Sequence, residues 1–435
     1  MCVPLLLLGV LADGRAAEPD ETLARDALVL RLSLREAMEA AVDHNPKVQL
    51  FKERIREAHG VKDTKLGALL PNLSGSMNQY NQTFFLGTIG GAPVPTTPFD
   101  IFDARATATQ YLFSKSLVEQ WKASRISVEV AEMEAEITKR DTMATTALAY
   151  IEALRAQEAV RARQANVELF RQLVKVAREK RTGGMASGLD TARAEAHLEN
   201  ERQRVLVGQN DLTRAKLSLM RAIGLSYDVP LVLTGELSLA GIDGVRLEEA
   251  LAAAEEYRVE VKAQAQRIKV ASLTLDSTVS ERWPSLQARG DFGRIGNAWT
   301  DTVSTHNVGV VLSVPVFDGG QREGRIYQSR SQVQQEILKL KDVLSQVALE
   351  VRDALDTLVS SKEQVLVSKQ GLQAAMAEME LARERFTVLS SSNAELTTAQ
   401  ISLARARENA VDALYRFNAS RVNLARAQGR LDLLY

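Results

Sequence analysis

The chain has a single cysteine, almost no net charge, and no long apolar run after its first dozen residues. Each shortage excludes something. Cys2 can form no internal disulfide and can belong to no cluster of several thiolates. A membrane-spanning helix needs about 18 consecutive apolar residues, and none is found beyond the N-terminal run. If this protein enters a membrane, it does so through β-strands. With 54 Lys and Arg against 55 Asp and Glu, there is no electrostatic ground for a nucleic-acid partner. The four histidines, His44, His59, His197 and His306, lie in different segments without metal-ligand spacing. No phosphate loop ends in Lys-Ser or Lys-Thr. Gly290, Gly293 and Gly296 fall in a strand and its exit, where glycine eases bending. No serine or cysteine nucleophile motif is present. An enzyme is therefore not expected, and no residue set calls for a cofactor.

Among the 435 residues, 45% are hydrophobic and 25% charged, which excludes both a disordered chain and a helical membrane protein. Ala, Leu, Arg, Glu, Val and Gln dominate the long central segments, where Pro is nearly absent; that is the make-up of long helices. The N-terminus reads Met-Cys-Val-Pro-Leu-Leu-Leu-Leu-Gly-Val-Leu-Ala, an apolar run of roughly ten residues that fits a secretory h-region. Gly14, Ala16 and Ala17 follow, so residues 1–17 are expected to be a signal peptide. The basic stretch that normally precedes such a run is missing, as when a start is placed too late. Cys2 is not placed for lipid attachment, because the apolar run follows it.

The most informative feature is an internal repeat with a period of about 205 residues, far longer than a solenoid unit. Ala177-Arg178-Glu179-Lys180 matches Ala382-Arg383-Glu384-Arg385, and Asp190 matches Glu395. A ladder at every seventh position follows, Leu198, Val205, Leu212 and Leu219, answered by Leu403, Ala410, Phe417 and Leu424. Both ladders stop at a glycine, Gly224 and Gly429, where a helix C-cap is expected. In the second half Leu396 extends the ladder. Ala399, Ala406, Ala413, Ser420 and Ala427 form a seam of small residues three positions later. A strict heptad means helices packed along their length by supercoiling, and small seam residues let neighbours approach closely.

The repeat divides the chain into a first unit over 33–224, an equatorial insert over 225–246 and a second unit over 247–429. In the first unit, residues 33–68 are expected to be helical, with Ser33 as N-cap and Glu36 completing a capping box. A helix over 115–181, without Pro or Gly, would be roughly 100 Å long. Gly183-Gly184 and Gly188 turn the chain, and 189–223 runs back. The second unit has helices over 247–282 and 321–388, a turn at Ser390-Ser391-Ser392-Asn393, and a return over 394–428. Pro230 to Gly244 reads as a small irregular insert.

Two strand pairs interrupt the helices at matching places, about 71–82 with 101–113 and 284–295 with 305–317. Each strand is roughly 10–13 residues, the length of a tilted spanning strand. Leu73, Gly75 and Met77 alternate with Asn72, Ser74, Ser76 and Asn78. Leu286, Ala288, Gly290 and Phe292 alternate with Gln287, Arg289 and Asp291. Val308, Val310, Leu312 and Val314 behave likewise, and the strand through Ala104, Ala106 and Ala108 less clearly. Apolar-out and polar-in suits a barrel wall around water. A soluble half-buried sheet has the same alternation, so a periplasmic coiled-coil adaptor or scaffold is the competing reading. Four strands cannot close a membrane barrel alone, because open edges in lipid leave backbone groups unpaired; a spanning sheet therefore requires several chains.

At this point the motifs resemble a known family. Leu34-Arg-Glu-Ala-Met-Glu-Ala-Ala-Val-Asp-His-Asn-Pro46 resembles the opening helix of TolC-like outer-membrane efflux proteins, including its Asn-Pro ending. Leu70-Pro71-Asn72-Leu73 and Trp283-Pro284-Ser285-Leu286 are similar to the helix-to-strand junctions. Ser313-Val-Pro315-Val-Phe317-Asp-Gly-Gly320 resembles the strand-to-helix exit. Gly184-Met-Ala-Ser187-Gly-Leu-Asp190 resembles the first hairpin tip, and Ala399-Gln400 with the Leu403 ladder the segment after the second. The match runs from about Ser33 to Gly429, and its order, spacing and duplication are more specific than any one motif.

The resemblance implies a membrane β-barrel continued by a long α-helical barrel, closed by trimerisation, with four strands and long coiled-coil helices from each chain. It implies a passive outer-membrane conduit in a tripartite efflux or type I secretion system, surrounded by outer-membrane lipid. The partners would be a periplasmic adaptor protein and an inner-membrane pump of resistance-nodulation-division, ABC or major-facilitator type. The periplasmic gate would include Asp190, Glu395, Phe386 and Ser391, the acids forming rings that favour cations; both acids also suit helix N-terminal compensation. The adaptor-contact tips would be Gly184, Met185 and Ser187, and Leu389, Ser390 and Ser392. Arg105, Arg289 and Asp291 would face the barrel lumen, and the loop from Thr83 to Asp100 would be extracellular. The sequence departs from the family at Leu389, where the tip normally has glycine, and at Thr398, where some members carry a second ring acid. Ser391 replaces a gate arginine found in some, and Phe386 a gate tyrosine. The resemblance thus implies a closed-state lock that is weaker or built differently.

Overall fold

The computed structural model describes residues 30–434, apart from 90, 185–186, 240–243 and 388–392. The expected signal peptide and Cys2 lie outside the described residues, as do the tip positions Met185, Leu389, Ser390, Ser391 and Ser392. The chain runs β1 (Leu30–Leu32), α1 (Leu34–His44), α2 (Pro46–Gly67), β2 (Asn72–Gln82), β3 (Phe85–Ile89), β4 (Ala92–Pro95), β5 (Phe99–Phe113), α3 (Lys115–Thr182) and α4 (Gly188–Ile223). It continues with β6 (Leu231–Leu233), α5 (Leu247–Tyr257), α6 (Val259–Val279), β7 (Ser285–Ala298), β8 (Asp301–Ser313), α7 (Gln321–Thr387) and α8 (Asn393–Ala427). With 68 residues, α3 rises about 100 Å.

The helix expected over 33–68 begins at its capping box but does not run through. Glu36 Oε2 accepts from the Ser33 N–H at 2.8 Å, and the Glu36 N–H donates to Ser33 Oγ at 3.3 Å. Asn45 is then extended, with φ -67° and ψ 125°. The ring of Pro46 disfavours helical backbone in the residue before it, yet proline suits the first position of the next helix. Asn45 caps α2 through the Lys47 N–H at 2.8 Å, and its Nδ2 donates to the Ala222 carbonyl at 2.6 Å. The helix expected over 247–282 breaks too, at Arg258, with φ -70° and ψ 117°, and ends in a 3-10 turn over Ser280–Arg282. No proline enforces this break. The Arg258 guanidinium instead bonds Glu260 at 3.1 Å, Glu350 at 2.7 Å and the Ala427 carbonyl at 3.4 Å.

Each break lies against the glycine that ends a return helix. A side chain on Gly224 (φ 90°) would start 2.6 Å from the His44 carbonyl oxygen. One on Gly429 (φ 71°) would start 2.9 Å from that of Tyr257. Positive φ and close backbone approach together leave glycine as the residue that fits.

One antiparallel sheet has the order β2-β5-β7-β8. β5 begins at Phe99 rather than Ile101, and β8 spans Asp301–Ser313 rather than 305–317. Pro315, which has no N–H to give a ladder, follows the end of β8. The segment from Thr83 to Asp100, read as a plain loop, contains the hairpin β3–β4. The insert read as irregular contributes β6, which pairs in parallel with β1. The buried Tyr150 hydroxyl donates to the Leu32 carbonyl and accepts from the Gly235 N–H, each at 2.9 Å, fixing that small sheet to α3.

The helical core is a series of apolar clusters. Phe170, Leu173, Leu198, Phe386, Leu396 and Leu403 form one near the tips. Ala250, Val351, Phe417 and Leu424 belong to another around α5, α7 and α8.

Candidate functional site

Register fixes which residues share a face of the sheet, because directly opposed residues point the same way. Ser74, Thr107, Asp291 and Asn307 are opposed in turn across the four strands, as are Ser76, Arg105, Gly293 and Thr305. One face is therefore polar across its whole width. The other carries Met77, Ala104, Arg294 and Ser304 in one row, and Leu73, Ala108, Gly290 and Val308 in another. On this second face Leu73 is 80% exposed, Met77 74%, Val308 81% and Val310 62%, so within one chain nothing covers it.

The polar face has an ionic centre. Arg105 bonds Asp291, lies 3.3 Å from Asp103 and reaches Thr305 at 3.5 Å. Asp291 is buried, and Arg289 shares its face but is exposed. Two of the three expected lumen residues, Arg105 and Asp291, are thus brought into contact. Asp103 and Thr305 join them although the sequence reading passed over them. Their strand alternation was the signal that could have found them.

At the helical end, Ser187 caps α4, and Asp190 is the third residue of that helix. Ser187 Oγ is 2.7 Å from Asp190 Oδ2, and the Ser187 and Asp190 N–H groups complete a capping box at 3.1 and 3.2 Å. Gly184 turns the chain after α3 with φ 73°. Glu395, in the first turn of α8, receives Arg385 Nη1 at 2.7 Å. Phe386 is buried in the apolar cluster near the tips. Thr398 spends its hydroxyl on the Ala394 carbonyl at 2.9 Å. Lys180, which the sequence reading used only to align the repeats, donates to the Phe386 carbonyl at 2.7 Å.

About three-quarters of the way along α3 towards the tip, a polar layer interrupts the apolar seam. Asn166 is fully buried and accepts from Arg407 at 2.8 Å. Arg163 lies 3.6 Å from Glu408, and Glu201, only 7% exposed, lies 3.1 Å from Arg204. Burial pushes the Glu201 carboxyl above the ordinary carboxylate range, with Glu408 adding to it against Arg204 and Arg163. Burial likewise lowers the Arg407 guanidinium. Arg163 and His197 line a cavity of about 530 Å³ beside this layer. Heptad reading foresaw none of it, because arginine and glutamate on a long helix normally mark its wet side.

Among the described residues, no group of three or more His, Cys, Asp or Glu could hold a metal ion, and no helix is long and apolar enough to cross a membrane. The site is a set of surfaces: one amphipathic sheet, one polar layer and the helix ends that flank the hairpin tips.

Known proteins match this architecture. The model of the family described as outer membrane efflux protein matches residues 39–225 and 250–430. Protein CyaE of Bordetella pertussis is 23% identical over 318 residues, covering 70% of this chain and 64% of that protein, just under two thirds of its length. Outer membrane efflux protein BepC of Brucella suis is 22% identical over 436 residues, covering 95% of this chain and 89% of its own. The crystal structure of the Campylobacter jejuni CmeC outer membrane channel superposes with a TM-score of 0.80 at 16% identity, covering 91% of this chain and 85% of that one.

Proposed function

Because this chain belongs to the outer membrane efflux protein family, we propose that it forms, with further copies of itself, the outer-membrane conduit of an efflux or secretion system. It is an outer-membrane channel subunit that extends into the periplasm. The observation that carries the proposal is the four-stranded sheet, with exposed Leu73, Met77, Val308 and Val310 on one face and the Arg105–Asp291 rows on the other, and with β2 and β8 as open edges. In lipid those edges need partners, and the exposed Leu73, Met77, Val308 and Val310 need a hydrocarbon environment. Pairing β2 of one copy with β8 of the next satisfies both needs. Three copies, the number the family resemblance implies, would close a barrel around the Arg105–Asp291 face. The long helices would continue the passage across the periplasm. A soluble scaffold has no use for a sheet with an uncovered apolar face.

The reading extends to the ends of the helices. Asp190, Glu395, Phe386 and Ser391 would form the periplasmic gate. The tips at Gly184, Met185 and Ser187, and at Leu389, Ser390 and Ser392, would meet a periplasmic adaptor, which would join the conduit to an inner-membrane pump of resistance-nodulation-division, ABC or major-facilitator type. The chain would supply passage without chemistry. Three acids at one constriction favour cations.

Planar-bilayer conductance and the mass of the detergent-purified assembly test the proposal together. Discrete channels from a particle of three chains are expected. A monomer that stays in buffer without detergent and leaves the bilayer silent would overturn it. For the gate, Glu395→Gln should reduce cation preference. For the adaptor surface, Leu389→Asp should impair export in cells while leaving conductance intact.

A further inference from the structure

The polarity of the two sheet faces does not run unchanged to the end that carries β3 and β4. On the Arg105–Asp291 face the rows through Ser74 and Ser76 are polar. The next row joins Asn78 and Asp103 to Ile295 and Val303, and the one after it pairs Tyr80 with Ile101. Phe99 follows, opposite Gln82, and the Phe84 ring lies against it with centroids 5.6 Å apart. The opposite face changes the other way. Beyond Met77 comes the row Gln79, Phe102, Gly296 and Thr302, and then Asn81, whose Nδ2 donates to Asp100 at 2.8 Å.

A wall in lipid needs an apolar outer face and tolerates a polar lining around water. Glutamine, asparagine and aspartate on the outer face put this end of the strands outside the hydrocarbon. The inner face there is apolar without lipid to explain it. Tyr80, Phe84 and Val303 are more than half exposed in one chain, and Phe99, Ile101 and Ile295 are half-buried beside them. A contiguous apolar patch outside lipid calls for a cover. This one runs from Tyr80 on β2 to Val303 on β8, the two edges that pair between copies in the channel reading.

We propose that these side chains form an apolar collar at the outer mouth of the conduit, each copy's share covered by those of the other copies, and that the collar holds back charged solutes while passing uncharged aromatic ones. This rests on the channel reading above. A barrel of about twelve strands lies between the eight or so whose interior side chains fill and the sixteen or so that leave an open channel, so bulky inward residues decide its width. Tyr80, Phe84 and Phe99 supply three rings from each copy. Water withdraws from a narrow apolar constriction, and an ion crossing it loses hydration without polar replacement. Ile101 lies four residues from Arg105, roughly 13 Å along the strand, too far for the ionic centre to relieve that cost. An aromatic solute meets rings it can stack on instead.

Thiol accessibility below the collar tests it. In a Cys2→Ser background, Ser76→Cys places a thiol on the polar face, four residues from Tyr80. This parent assembly, purified in detergent and reconstituted in nanodiscs, is treated with an anionic methanethiosulfonate, which the acids proposed at the other end of the conduit also disfavour, and separately with N-phenylmaleimide. Tyr80→Thr with Ile101→Thr keeps the strand preference of the collar while adding small hydroxyl side chains, and should speed the anionic reaction about tenfold. The maleimide should react at the same rate in both proteins. Phe99→Thr alone should give a smaller rise and is read in the same way should the double variant fail to assemble. Gln79→Thr, on the outer face, is the control and should change neither rate. An anionic reaction as fast in the parent as in the collar variants, an equal acceleration of both reagents, or the same gain from Gln79→Thr would overturn the collar. A parent that stays monomeric in buffer without detergent fails one step earlier, at the channel reading, and removes the collar with it.

Discussion

In the first half the opening helix breaks at Asn45, ahead of Pro46; in the second it breaks at Arg258, ahead of Val259. Both breaks sit against the terminal glycine of a return helix, and both redirect the chain at the same step of the element order. The first is enforced by covalent geometry that acts on a single neighbour. The second is held by one guanidinium shared among Glu260, Glu350 and the Ala427 carbonyl, which are far apart in sequence. Burial alone would push the Glu350 carboxyl up, but its bonds from Gln346 and Arg258 leave it below the usual range. The same contrast recurs deeper in the helices. Buried Glu201 has Ala406 as its counterpart 205 residues on, and Ala406 packs against the apolar cluster. Matching backbones are thus kept in place by unlike chemistry.

The glycines should be the most sensitive points. Gly224→Val adds a branched side chain at positive φ and drives it into the His44 carbonyl, for a loss of about 4 kcal/mol. Gly429→Val should cost somewhat less, since its nearest backbone oxygen is farther away. Melting temperatures of the two variants check the order. Next comes Arg258→Met, which strips a nearly buried cation from Glu350 and should cost about 3 kcal/mol. Pro46→Ala should cost only about 1 kcal/mol, because the proline acts mainly by restricting the unfolded chain. Equal losses would break the contrast between a covalent and a tertiary break.

Glu201→Gln goes the other way. The folded state holds the Glu201 proton more tightly than the unfolded chain does. Stability at this group is therefore greatest below the ordinary carboxylate pKa and declines as pH rises towards the raised one. At neutral pH the amide should stabilise by about 1 kcal/mol, since the Arg204 it abandons is solvated. Melting curves across the acid range should also lose that decline; an unchanged pH profile would place the burden elsewhere in the layer. The smallest effect is expected from Val259→Pro. Arg258 already has backbone angles compatible with a following proline, and Val259 is the first residue of its helix. A gain of about 0.5 kcal/mol would show that the second break accepts the device of the first.

Much of the frame was legible in the sequence. The absence of Pro and Gly over 115–181 marked α3, the capping box at Ser33 and Glu36 marked the start of α1, and strand alternation marked the two faces of the sheet. Pro46 was visible, and the family resemblance ended the opening helix at Asn45-Pro46, although the coarse reading carried one helix over 33–68. The break at Arg258 had no local sign at all. The hairpin β3–β4 and the pairing of β1 with β6 were missed because short strands carry too few residues for a period to show. At the tips, the capping role of Asp190 could be read from its spacing to Ser187, whereas the crossing of Lys180 to Phe386 could not.

By itself the sequence determined helix lengths, caps, glycine stops and the two-sided strands, because each depends on backbone geometry and periodicity acting over a few residues. Only the tertiary structure decided how charges were partnered: Arg105 with Asp291, Arg258 with Glu350, Arg407 with Asn166, and Lys180 with the end of α7. An electrostatic partner is chosen by distance and burial in space, and neither is written in the separation along the chain.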